Sequence, residues 1–363
     1  MIGSVRSTIF FAWLFLISFA EASFALDSAD QSPLKVHFVN PGHEFDNSTG
    51  LFWRNVSIAM EAVAEDLHVD FTSSYANRNH IVMKDQLLEA LQSDADYLIV
   101  VDEKKAVTQL LKQLDTINKP LLFIFNAPHD QLIAHKPKWL VGYLAPNNFD
   151  AGYKLARSLY KEAQRRFTDE ISINMLALYG DHLTDSAVSR QHGLELFLRQ
   201  HPQVHLVHSD VANWSKDEGF RKSIGVLSLS HNINVIWAAN DPIASGALLA
   251  ARQTTSQPQP VIGGVNWDDV ADNERADVSV GGHVLLGAAA LIMLHDAHYQ
   301  QRAFETDGNF EIFEPNTQEF RGLIDALHQK ELTKINFKRF SATHEQPWQF
   351  SLQNLAKCLD IGC

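Results

Sequence analysis

The sequence predicts an α/β protein built as two doubly wound parallel-sheet lobes joined by hinge crossings, and three observations predict it. Short runs that are apolar nearly throughout, such as DYLIVVD at 96–102 and KPLLFIF at 119–125, read as strands covered on both faces. Segments of helical period separate these runs, so the strands lie parallel. The alternation restarts after Tyr143 with no low-complexity linker between the two sets.

The elements follow in order. Residues 1–25 read as a signal peptide, with Arg6 ahead of an apolar core from Ile9 to Ala20 that is too short to span a bilayer comfortably. Ser23 and Ala25 suit cleavage ahead of Leu26, with Ala20 as a second site and an uncleaved anchor as the alternative. The first set then runs as the strand 34–40, helix 50–67, strand 69–75, helix 82–92, strand 96–102, helix 107–117 and strand 119–125. The second runs as helix 149–166, strand 171–180, a helix over 186–202 that Pro202 stops, strand 204–210, helix 217–229, strand 233–240, a helix opening at Pro242 and strand 260–266. Strand 276–282 and helix 285–301 read as material returned to the first lobe. The expected division is 34–145 with about 267–305 in the N-terminal lobe, 146–266 with about 306–345 in the C-terminal lobe, and 346–363 as a tail.

Composition narrows the function. A hydrophobic content of 45% with 20% charged residues is globular, and more than three hundred residues suffice for two cores. The formal charge of -13 argues against nucleic acid, whose phosphates need a basic face. Among 17 histidines, His201, His205 and His208 bracket a strand start, and no cysteine or carboxylate completes a metal set with them. His43 beside Glu44 is a weak hydrolase signal, and no nucleophile elbow, phosphate loop or HExxH motif accompanies it. No cofactor motif is present. The two cysteines, Cys358 and Cys363, either close a small loop in an oxidising compartment or remain free thiols.

In open parallel sheets a ligand crevice lies beyond the carboxyl ends of the strands. Those ends here are Asn40, Asp102, Asn126, Asp210, Asn240 and Asn266. Any one of them can cap a helix or form a turn, but six across two lobes point to a cleft that holds a small polar molecule.

Over roughly Leu34 to Gln301 the chain resembles the type 1 periplasmic solute-binding proteins, in their ribose-binding-like and autoinducer-2-receptor-like branch. The marks are VGYLAPNNFDAGYKLA, SAVSRQHGLELF, AANDPIASGALLA and VIGGVN. The resemblance implies a protein that closes around a small polar ligand, most often a sugar or sugar-like molecule, and delivers it to the membrane permease of an ABC transporter. A sensor histidine kinase is the alternative partner, which the irregular tail beyond Gly308 weakly favours, and an exported enzyme on the same fold is the second alternative.

Carried over residue by residue, the resemblance assigns Phe52 and Trp53 as an aromatic pair facing the ligand, with Trp214 closing on it from the second lobe. Arg190 would donate paired hydrogen bonds to ligand oxygens. Asp102 and Asn126 match first-lobe contacts, Asn240 and Asn266 second-lobe contacts, and His283 lies near a further contact position. Asp241 reads as the N-cap of the helix after Asn240. The chain departs from pentose binders in carrying Asn126 and Ala127 for an Asp-Arg pair and Asn266 for an Asp, which weakens ribose as the ligand. Only Arg190 is placed where the autoinducer-2 receptor uses two arginines.

Overall fold

A computed structural model of the protein describes residues 32–167, 172–229, 232–254, 258–300 and 308–363. The expected signal peptide lies outside the described residues. Residues Pro33–Cys363 form one compact unit. Among the described residues no helix is long and apolar enough to cross a membrane.

The first lobe opens with β1 (Lys35–Asn40), α1 (Phe52–Leu67), β2 (Asp70–Tyr75), α2 (His80–Gln92), β3 (Tyr97–Val100), α3 (Ala106–Leu111), β4 (Leu121–Ile124), α4 (Asp130–His135) and β5 (Leu140–Pro146). The second follows with α5 (Asn148–Arg166), β6 (Ile173–Tyr179), α6 (Asp185–Gln200), β7 (Val204–Val211), α7 (Lys216–Leu229), β8 (Val235–Ala238), α8 (Asp241–Thr254), β9 (Val261–Asn266) and β10 (Val278–Gly281). The chain then continues through α9 (Leu286–Gln300), β11 (Asn309–Phe310), β12 (Glu314–Pro315), α10 (Arg321–His328) and α11 (Leu352–Ile361).

Two six-stranded sheets result, ordered β11-β5-β4-β3-β1-β2 and β12-β10-β9-β8-β6-β7. Their pairings are parallel except for β12 against β10. The central strands β3, β4, β8 and β9 are buried at almost every position, as their unbroken apolar runs demand. β7 forms the outer edge of the second sheet, and most of its residues are exposed. In both sheets the order reverses beside the first strand of the set, which opens a crevice at the strands' carboxyl ends.

Two expected placements are corrected. The strand expected in the first lobe at 276–282 is β10, and it extends the second sheet, with Val278 opposite Gly263 and Gly281 opposite Asn266. A four-residue strand buried on both faces carries nothing in its sequence to name its sheet, and the chain crosses to the first lobe only after it. The stretch beyond 306 was expected in the second lobe, with a loose tail after 345. β12 does join the second sheet, but Phe320, Leu323, Leu327, Phe337, Phe340, Leu352 and Leu355 share one core with Val56, Met60, Leu291 and Leu294 of α1 and α9. These residues are apolar at irregular spacing, so no period showed in the sequence; they bury their surface by packing against α1 and α9.

Cys358 and Cys363 are joined by a disulfide that closes the end of α11. The pairing is the first of the two readings that the sequence left open.

Candidate functional site

The carboxyl ends of the two sheets face each other across a cavity of about 80 Å³ that opens to solvent. The lobes touch at its rim. Lys216 N–H donates to the Ser48 carbonyl at 2.9 Å, and Lys105 Nζ lies 3.0 Å from Asp185. Both contacts pair an element of the first lobe with one of the second.

The first lobe supplies an aromatic wall. Phe52 and Trp53 begin α1, and Asn40 holds that start against the end of β1 by donating to the Trp53 carbonyl and to Ser57 while accepting from Gly42 N–H. Phe125, at φ 66 directly after β4, packs edge-on to Phe52 and Trp53 with centroids 5.4 and 5.1 Å away. His283 stacks on Phe52 at 4.7 Å and lies 4.5 Å from Phe313 on its other side.

Arg190 enters from the second lobe. Its helix α6 packs against α5 at a glycine contact: a Cβ on Gly152 would stand 2.0 Å from the Arg190 carbonyl oxygen, and one on Gly193 would stand 2.1 Å from that of Phe149. Only glycine permits so close an approach. Arg190 is 4% exposed. Its Nε donates to Asn148 Oδ1 at 3.0 Å, Nη1 to the Ala239 carbonyl at 2.6 Å and Nη2 to His283 Nε2 at 3.3 Å. The guanidinium also lies 5.6 Å from the centre of Trp214 and 5.7 Å from that of Phe313, a cation–π arrangement on both sides. Burial lowers the Arg190 pKa to about 9, and the charge of Asp241 only partly opposes this.

An arginine only donates, so His283 Nε2 must accept, and the His283 proton is assigned to Nδ1. Burial, followed by the Arg190 charge, holds the imidazole pKa well below its usual value, in keeping with a neutral ring. Nδ1 is buried and has no hydrogen-bond partner among the described residues. His283 thus lines the cavity and carries a buried donor that is spare.

Trp214 sits at φ 62 on the loop between β7 and α7. Its Nε1 donates to Asp181 Oδ2 at 2.7 Å, and its carbonyl accepts from Asn240 Nδ2 at 3.1 Å. Asp181 also accepts from the backbone of Leu183 and Thr184 and from the Thr184 hydroxyl. Burial alone would raise the Asp181 carboxyl, yet these bonds hold it below its ordinary value. The indole is thus locked in place by a charged acceptor.

Of the positions expected to meet a ligand, Phe52, Trp53, Asn126, Arg190, Trp214, Asn240, Asn266 and His283 line the cavity. Asp102 does not. Its two carboxylate oxygens accept from the Thr108 backbone and hydroxyl, a turn-forming role in the loop before α3 that a short acidic side chain fills as readily as it meets a ligand. Two further strand ends are also structural: Asn40 holds α1, and Asp210 pairs with Lys222 at 2.8 Å. The expected capping role of Asp241 falls instead to Asn240, whose Oδ1 accepts from Ile243 N–H at 3.0 Å, while Asp241 Oδ2 takes Asp268 N–H and the Ser279 hydroxyl.

The sequence reading missed Phe125, Asn148 and the pair Arg78 and Glu103, all of which line the cavity. Arg78, at φ 61 before α2, makes a 2.9 Å ion pair with Glu103, whose side chain is only 5% exposed. The two come from separate loops of the first lobe, and nothing local in the sequence joins them. Asn148 was visible, since it is the second asparagine of the LAPNNFD stretch. The cavity therefore holds two arginines where the sequence placed one.

Two wound sheets with facing strand ends define a class: a bilobal α/β protein with a cleft between its domains. The chain belongs to the family described as periplasmic binding protein domain, whose profile matches residues 45–271. Among curated relatives it is similar to the D-apiose import binding protein of Actinobacillus succinogenes, 28% identical over 107 residues covering 30% of this chain and 33% of that protein. It is also similar to the xylitol-binding protein of Mycolicibacterium smegmatis, 23% identical over 206 residues covering 56% of this chain and 55% of the other. The matched regions thus span a third to about half the length of these relatives. Among solved structures, a periplasmic sugar-binding protein from Pseudomonas fluorescens superposes with a TM-score of 0.73 at 28% identity, covering 88% of this chain and 98% of that one. The binding protein of the arabinose ABC transporter from Shewanella sp. ANA-3, with a TM-score of 0.65 at 17% identity over 81% of this chain and 96% of the other, shares the fold.

Proposed function

We propose that this protein is a periplasmic receptor, not an enzyme, that closes its two lobes around a small polyhydroxylated, sugar-like solute and presents it to the permease of an ABC transporter. The observation that carries the reading is the make-up of the cavity: aromatic faces and amides from both lobes around a buried arginine. Aromatic faces suit the C–H surface of a sugar ring, whereas Arg190, Asn126, Asn266 and the spare donor of His283 suit its hydroxyls. The names of the relatives support the same ligand class and the same transport role.

Closure follows from differential affinity. Groups of both lobes line the cavity, so a ligand held by both favours the closed state over the open one by the free energy of those shared contacts. Phe52, Trp53 and Asn126 would hold it on the first-lobe side, and Arg190, Trp214, Asn240 and Asn266 on the second. The irregular stretch beyond Gly308, whose extra length weakly favours a sensor kinase as partner, packs its apolar residues into the first lobe's core.

Titration calorimetry of the mature chain against pentoses, hexoses, alditols and sugar acids tests the reading, with quenching of Trp53 and Trp214 fluorescence as a second signal. Saturable one-to-one binding of at least one of them, accompanied by compaction in X-ray scattering, is the expected result. Saturable binding without compaction would sink the closure mechanism, and no binding across the panel would sink the sugar-like ligand.

A further inference from the structure

We infer that the ligand bears one negative charge, a carboxylate on a sugar-sized polyol, and that this group lies against Arg190. The inference rests on the proposed binding function and narrows its ligand class.

It comes from counting charges around the cavity. Two guanidinium groups line it, Arg78 and Arg190, but only one carboxylate, Glu103. Arg78 and Glu103 neutralise each other across 2.9 Å. Arg190 makes no ion pair among the described residues, and its three hydrogen bonds go to an amide oxygen, a backbone carbonyl and a neutral imidazole. The other polar side chains near it, including Asn126, Asn240, Asn266 and Thr184, carry no charge.

The carboxylates that might have served are engaged elsewhere. Asp102 is bonded to Thr108, and Asp181 to Trp214 and Thr184. Asp241 acts on Arg190 only through space: Oδ2 is held by Asp268 N–H and Ser279, Oδ1 is buried without a hydrogen-bond partner, and no ion pair or hydrogen bond joins the two side chains among the described residues. Asp241 does favour the charged form of Arg190, yet the balance of the surroundings still lowers the Arg190 pKa. The rings of Trp214 and Phe313 offset part of the missing countercharge and cannot replace it.

A buried cation without a counterion is unfavourable unless a partner arrives. A guanidinium has five N–H donors, and the structure engages three of them, which leaves one on each terminal nitrogen. Donors of that kind match the paired oxygens of a carboxylate. A neutral sugar would satisfy the geometry and leave the charge uncompensated.

The test uses matched pairs at constant ionic strength: gluconate with glucitol, galacturonate with galactose, arabinonate with arabitol, and acetate as the smallest carboxylate. Calorimetry and thermal unfolding are run on wild type and on Arg190→Gln. The expected result is that the acid of at least one pair binds at least 30-fold tighter than its neutral partner, that acetate at tens of millimolar raises Tm above chloride, and that both effects vanish in Arg190→Gln. If that variant does not fold, the ionic-strength dependence of wild-type affinity decides, since an anion bound at Arg190 weakens with salt and a neutral polyol does not. Neutral partners binding as tightly as the acids would overturn the charge inference and leave the sugar-like function standing. Acids binding equally to Arg190→Gln would remove Arg190 as the group responsible. No response to any carboxylate, acetate included, would also overturn it, and silence from acids and neutral polyols alike would remove the proposed function with it.

Discussion

Arg190 donates from Nη2 to Nε2 of His283 across 3.3 Å, joining the helix that enters from the second lobe to the turn by which the chain leaves that lobe for the first. Both side chains line the cavity and both are almost fully buried. One hydrogen bond therefore fixes the imidazole tautomer, orients the guanidinium and ties the cavity to a lobe crossing.

Replacing Arg190 with alanine should weaken binding of the ligand by about 2 to 5 kcal/mol, the range for truncating one partner of a buried, hydrogen-bonded charge. His283→Ala should weaken it less, because a neutral donor is lost and Arg190 retains Asn148 and Ala239. Calorimetry on both variants checks the order; a larger loss from His283→Ala than from Arg190→Ala would contradict it.

Much of this cavity could be read before the fold was known, for a physical reason. Asn126, Asn240 and Asn266 lie at the ends of strands, where a break from apolar to polar marks the crevice, whereas Arg190, inside α6, was legible only through the resemblance. Asp102 shared that mark and turned out to serve Thr108, since a strand end needs turn-forming groups as well as ligand contacts. Arg78 and Glu103 escaped because their meeting depends on two loops closing over each other. β10 and the C-terminal cap escaped for a related reason: their partners are chosen by tertiary packing and not by local period.

Gly152→Ala should destabilise the second lobe by about 1 to 3 kcal/mol through overpacking, because the new methyl must displace the α6 backbone at Arg190. The same displacement should weaken ligand binding although residue 152 lies outside the cavity lining. Urea denaturation with calorimetry tests the pair of effects, and loss of stability with unchanged affinity would show that α6 shifts without carrying Arg190.

Reducing the disulfide, or replacing both Cys358 and Cys363 with serine, should cost about 2 kcal/mol of stability, since it closes only a short loop. Asn336 donates to the Cys363 carbonyl at 3.2 Å, so the C-terminal cap should loosen first. Ligand affinity should change little, because neither cysteine lines the cavity. Hydrogen exchange confined to α10 and α11 on reduction would support this; a matching loss of affinity would not.

Stability should fall as pH rises from 6.5 to 8.5, and the buried pair Asp241 and Asp268 should be the cause. The Asp268 carboxyl is pushed up to about 8, first by burial and then by Asp241, which is itself raised to about 6. Asp269 and, from the first lobe, Asp46 add repulsion, with Asn266 donating in partial relief. His328 and Lys330 line the same seam, and Lys216 there is paired with Glu274 at 2.6 Å. An acid whose folded pKa lies above its unfolded one holds a proton that the unfolded chain has already released, so stability declines through the window between the two values. His283 works in the opposite direction, but only below its ordinary pKa, where the unfolded chain takes up the proton that the buried ring refuses. Above pH 6.5 the decline belongs to the Asp241–Asp268 pair, which titrates as a unit, and Asp268→Asn should remove it. Urea midpoints at pH 6.5, 7.5 and 8.5 decide the matter: parallel declines in wild type and variant would place the titrating group elsewhere. Because first-lobe residues help to bury Asp268, ligand affinity should follow the same pH course as closure.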